Sequence, residues 1–138
     1  MNIIAILLGM DLGDVRMLDP ARLTLSGDPG GPRHTEVLAD GRTQATRFAA
    51  ARADLERLVA GWRPDESDLR AAVSIDEWAF AAEHGLSVTG YVHGHPIIAD
   101  GRWSVTSTVI AIDVAGGRWV RTVSRWYRLG RPEGAVVN

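Results

Sequence analysis

The hydrophobic period of this chain changes once, from that of a helix to that of a strand, and this change sets the fold class. Between Gln44 and Ala60, Phe48, Ala51, Leu55, Leu58 and Val59, with Trp62 beyond, recur at the spacing of one helical face. Arg47, Arg52, Asp54, Glu56 and Arg57 lie mostly off that face, and Arg52 and Glu56 are spaced for an i,i+4 ion pair. From Leu86 the period is two, with Leu86, Val88, Gly90 and Val92 on one side and Ser87, Thr89, Tyr91, His93 and His95 on the other. Helix first and strands after predicts an α+β domain, two helices packed on a small antiparallel β-meander formed by the C-terminal half.

The chain has 138 residues, enough for one domain with its own core. Ile3 to Leu8 form an apolar run too short to span a membrane and without the basic flank of a secretion signal, so a buried strand or short helix and a cytoplasmic protein are expected. Asp11 to Arg42 keeps no period and carries Gly27, Pro29, Gly30, Gly31 and Pro32, the composition of a loop. Thr43 is placed to cap the first helix, and Gly61 followed by Pro64 to end it. Pro64 to Arg70 reads as an acidic turn of at most one helical turn. Ser74-Ile75-Asp76-Glu77 has the form of a capping box and predicts a second helix over 75–84. Two further strands are expected, Trp103 to Asp113 and Arg118 to Gly130, joined by a hairpin at Gly116-Gly117. The expected division is thus 1–43 an apolar segment and loop, 44–85 a helical layer, 86–130 a three-stranded antiparallel sheet, and 131–138 a tail.

Composition removes several chemistries. There are no cysteines, which excludes disulfides, thiolate metal sites and a cysteine nucleophile. Every basic residue is an arginine, so no lysine Schiff base and no P-loop lysine can be built. No Gly-x-Ser-x-Gly elbow and no nucleotide-cofactor motif occurs, and no cofactor is expected. The net charge of −2 hides a positive pole, for 101–131 holds six arginines against Asp113 alone.

Two places are candidates for function. His93 and His95 on a strand would point the same way, about 7 Å apart, which allows two imidazoles to grip one metal ion. Asp100, His84 or Glu77 would have to complete that site. The second candidate is the last strand, where Trp119, Arg121, Val123, Arg125 and Tyr127 would share one face. Guanidinium groups beside aromatic rings suit phosphates and bases, and equally suit a fold in which arginines stack on rings and pair with acids of a helical layer.

Gly94-His95-Pro96, Asp100-Gly101, Thr106-Ser107 and above all Arg121-Thr122-x-Ser124-Arg125-x-Tyr127-x-Leu129-Gly130 resemble the C-terminal pattern of a family of small bacterial proteins of unknown function. The resemblance spans about Trp78 to Gly130 and implies no activity, cofactor or catalytic residue. The leading expectation is therefore a small cytoplasmic binding protein without catalysis, acting through a protein partner. The alternatives are a nucleic-acid binder using Trp119, Arg121, Arg125 and Tyr127, and a metal-dependent enzyme at His93 and His95.

Overall fold

A computed structural model describes residues 4, 7–83 and 85–134. Its centre is an eight-stranded sheet built from β1 (Met10–Asp11), β2 (Val15–Met17), β3 (Val73–Ala81), β4 (Ser87–His93), β5 (Arg102–Val105), β6 (Val109–Asp113), β7 (Trp119–Thr122) and β8 (Trp126–Leu129). The order is β1-β2-β6-β7-β8-β3-β4-β5, and every pairing is antiparallel except β3 with β8. The fold is α+β, but with a much larger sheet than a three-stranded meander. Two short pieces, a 3-10 turn at Pro20–Arg22 and the helix α1 (Pro32–Thr35), precede the long helix α2 (Gln44–Val59), and α3 (Glu66–Ala71) follows it.

Connectivity forces the sheet to curl. β6 and β5 stand five places apart in the strand order, which in a flat sheet would be about 24 Å. The chain from Val105 to Val109 can span at most about 14 Å. The two strands are in effect one strand bent at Thr106–Thr108, and the bend brings the start of β6 back to β4, where Val109 N–H donates to Leu86 C=O at 2.7 Å. On the other side of the same strand, Val123 N–H donates to Thr108 C=O at 2.9 Å. A sheet coiled this far has an inside, filled by Val73, Ile75, Val88, Val92, Val120, Tyr127 and Leu129 and plugged by Leu8 of the N-terminal apolar run.

A second core lies outside the barrel-like sheet, where α2 packs Ala51, Leu55 and Leu58 against Met17, Ile110, Ala111 and Trp119. The helix begins and ends as its sequence predicts. Thr43 accepts from Thr46 N–H at 3.1 Å, and Gly61 follows the last turn at φ +100°. Val59, expected on the buried face, is 49% exposed, and Arg52 donates to the Leu23 carbonyl instead of pairing with Glu56. Asp11 to Arg42 is more than a loop, because Val15 and Met17 are completely buried in β2. The carboxylate of Asp14, beside β2, takes two hydrogen bonds from Arg63 at 2.8 and 3.0 Å, fixing the end of α2 to the sheet.

The predicted helix over 75–84 is the strand β3. The capping pattern that suggested it does occur, one segment earlier, at Asp65 and Asp68 of α3. A helix at Ser74 would have satisfied its own backbone, whereas β3 sits between β8 and β4 and is bonded on both sides, with Ile75 completely buried. The strand hides its period because a bulge between Asp76 and Ala79, with Glu77 at φ +50°, shifts the register. Opposite that bulge, Gly90 leaves no room for a side chain, since a Cβ there would lie 2.7 Å from the Asp76 carbonyl and 2.8 Å from Ile75 Cγ1. Gly90→Ala is expected to destabilise the protein by about 1–3 kcal/mol through overpacking, measured as a lower denaturation midpoint with an unchanged slope.

Candidate functional site

The stretch from Arg118 to Gly130, expected as one strand, is a hairpin. β7 ends at Thr122 and β8 begins at Trp126, and the Thr122 hydroxyl holds the turn by accepting from the amides of Ser124 and Arg125, both at 3.2 Å. Folding back reverses which residues share a face. Trp119, Arg121 and Trp126 look toward α2, while Val120, Tyr127 and Leu129 point into the barrel. Tyr127 therefore does not stand beside Trp119 and Arg121, and burial pushes its phenol pKa up.

The face toward α2 is a cluster of arginines and tryptophans organised on two carboxylates. Arg121 is 2% exposed, and its Nε donates to Asp54 Oδ2 at 2.8 Å while a terminal nitrogen donates to the Thr122 carbonyl at 2.7 Å. Trp126 Nε1 donates to the same Asp54 oxygen at 3.0 Å, and Arg57 pairs with the other one. Trp126 meets Trp62 and Trp119 edge-on, with ring centroids 5.7 and 5.1 Å away, and the Arg57 guanidinium lies 3.8 Å from the Trp62 ring centroid. Burial pulls the Arg121 pKa down and Asp54 opposes it; the guanidinium remains charged.

At the tip of the hairpin Asp40 plays the part that Asp54 plays below. It accepts from Arg42 at 2.8 Å and from Arg125 at 3.2 Å, and the hydrogen bonds from Arg42 hold its pKa down at about 2. Arg47 Nε donates to Ser124 Oγ at 2.9 Å, and Ser107 Oγ donates to the same oxygen at 2.9 Å. Arg121, Thr122, Ser124 and Arg125 of that run thus each have a hydrogen-bond partner inside the fold, and Tyr127 and Leu129 are packed in the core. Even Gly130 is required by space, since a Cβ there would lie 2.8 Å from Asp76 Oδ1.

His93 is the last residue of β4, and His95 lies beyond it, past Gly94 at φ +77°. His95 Nδ1 accepts from the amides of Ile97 and Ile98 at 3.1 and 3.0 Å, and burial, with Arg125 nearby, lowers its pKa, so the ring is neutral and one nitrogen is already used. Asp100 accepts from Gly94 N–H at 2.8 Å, Glu77 sits in the β3 bulge, and His84 lies outside the described residues. Among the described residues no group of three metal-ligating side chains forms.

Sequence reasoning found Trp119, Arg121, Arg125 and Tyr127 but not the residues that meet them. Asp54, Arg57, Arg47 and Trp62 looked like the outer side and end of an amphipathic helix, and Asp40 and Arg42 like loop. The only signal in the sequence was charge, six arginines in 101–131 needing acids from elsewhere.

Fold and site together define an α+β protein whose arginine and aromatic hairpin is bound to its own helix. The chain belongs to a family of unknown function, DUF6634, whose model matches residues 48–137. That span takes in α2 from Phe48 onward, with Asp54, and everything from β3 to β8. No curated protein and no solved structure gives a significant match.

Two outcomes follow from the carboxylates. Arg121→Met is expected to destabilise the domain by about 3 kcal/mol, near the low end for breaking a buried pair because Asp54 keeps Arg57 and Trp126, as read by chemical denaturation. For Asp40 the depressed pKa means a stabilisation that is complete above the ordinary carboxylate value and is lost as pH falls through about 2. Unfolding free energy should therefore drop from pH 4 to pH 2, and less steeply in Asp40→Asn.

Proposed function

We propose that this protein is a non-enzymatic interaction module that binds an extended segment of a partner protein along β5. The observation that carries this reading is an uncovered, apolar sheet edge. β5 ends the strand order, and on the outer face of the barrel Trp103 and Val105 are 59% and 52% exposed, beside Tyr91 at 40% on β4. Among the described residues no helix packs on this part of the sheet, for α2 and α3 bury theirs against β2, β6, β7 and β8.

Among the described residues, backbone groups are unpaired in the same place. Thr106 N–H donates to Val88 C=O at 2.9 Å, so the alternate amides at Trp103 and Val105 point away from β4. Natural edges are usually blunted by charge, proline or a bulge, and β5 carries only Arg102 among its four residues. A groove of about 340 Å³ runs beside it between Trp103, Val105, Thr89 and Leu86. An added strand would gain ladder hydrogen bonds from the edge and side-chain selectivity from the groove.

This reading is preferred to nucleic-acid binding because Arg121 and Arg125, the groups that were to meet phosphate, already have carboxylate partners. Capture from an extract of the source organism tests it, with the wild-type chain and a Trp103→Lys/Val105→Lys variant as baits, followed by hydrogen exchange on the complex. The wild type should retain a partner at least about tenfold better than the variant, with the amides of 102–105 protected. A partner that binds both baits alike, or leaves those amides exchanging, overturns the reading. A concentration-dependent homodimer with the same amides protected would also overturn it, giving the edge to a second copy.

A further inference from the structure

Beside the arginine and tryptophan cluster lies a cavity of about 380 Å³ between α3, the end of α2, the β4–β5 connection and the β7–β8 turn. Trp62, Trp126, Leu69 and Val73 give it apolar walls, and Arg57 and Arg125 stand in them. The size and the mixture of an apolar body with a few charged groups are those of a small-ligand site.

The charges around it do not balance. Asp54 is shared by Arg57 and Arg121, and Asp40 by Arg42 and Arg125, so four guanidinium groups meet two carboxylates. Arg47, whose pKa is lowered first by burial and then by the charges of Arg42 and Arg125 against that of Asp40, donates to the neutral acceptors Ser124 and Gln44. Among the described residues Arg125 Nε, a buried donor, has no hydrogen-bond partner. A buried donor in that state is unfavourable, and turning the Arg125 side chain toward an anionic oxygen in the cavity relieves it.

We propose that this cavity binds a small aromatic monocarboxylate, its ring on the apolar wall to which Trp62 and Trp126 contribute and its carboxylate on Arg125. The tryptophans favour a flat apolar body. A single carboxylate is favoured over a phosphate dianion because Asp68 also lines the cavity and because transferring a second charge among apolar walls is costly. The ring packs on the apolar lining, and the carboxylate gains a charge-assisted hydrogen bond.

Calorimetric titration of the full chain with 2-naphthoate, and with 2-naphthamide as the uncharged counterpart of the same shape, provides the test. One equivalent of 2-naphthoate should bind saturably, and at least about tenfold more tightly than 2-naphthamide, as one charge-assisted hydrogen bond predicts. Arg125→Gln should reduce the preference for the acid to near unity, and Ala72→Phe, which fills the cavity wall without touching a charge, should abolish both titrations. Absence of saturable 2-naphthoate binding overturns the proposal, as do equal affinities for acid and amide, or 2-naphthoate binding unchanged in folded Ala72→Phe. If Arg125→Gln fails to fold, the acid-to-amide ratio in the wild type and the Ala72→Phe titration decide the matter.

Discussion

A guanidinium that is 2% exposed, as at Arg121, has left water behind and has to be met by charge within the protein. Here the charge comes from Asp54, 67 positions away in sequence and on a helix that covers the outside of the sheet. The same carboxylate receives Trp126 and Arg57, so one side chain fixes two strands of the hairpin and the pose of the helix above them. Because alternative packings would leave a buried charge alone, this contact selects one register of α2 on the sheet. Asp40 repeats the arrangement at the hairpin tip, where it joins the loop before α2 to Arg125.

Curling of the sheet has consequences at a distance from this contact. The bent strand formed by β5 and β6 divides the apolar residues between a barrel interior and an outer core under α2. Among the described residues, helices cover the outer face over β2, β6, β7 and β8, and Tyr91, Trp103 and Val105 are exposed on β4 and β5. The aromatic residues that look most functional in the sequence, Trp119 and Tyr127, are in the cores. Trp103, 59% exposed, stood in an ordinary run of strand residues.

What could be read in advance depended on how local its cause was. The span of α2, its Thr43 cap and its Gly61 stop follow from one helical turn at each end and were legible. So was the Gly116-Gly117 turn, where Asp113 accepts from the amides of Gly116 and Arg118 at 2.9 and 3.0 Å. The strand β3 was not, because its stabilising bonds go to β8 and β4, and its bulge erased the period that would have marked it. The turn at Val123-Ser124 was missed for a related reason: it is held by the Thr122 hydroxyl and contains no glycine or proline. Within the candidate site, Arg121 and Arg125 could be named from the sequence, but their carboxylates lie 67 and 85 positions away.

By itself the sequence determined the α+β class, the long helix, the inward alternation of β4, and the absence of thiol and lysine chemistry. These rest on periodicity and composition, which neighbouring residues carry. Only the tertiary structure decided which face of the arginine-rich hairpin meets the helix, which carboxylates neutralise it, and which edge of the sheet remains open. Those outcomes depend on pairings between distant segments, and a buried charge or an unpaired edge is created only when the layers come together.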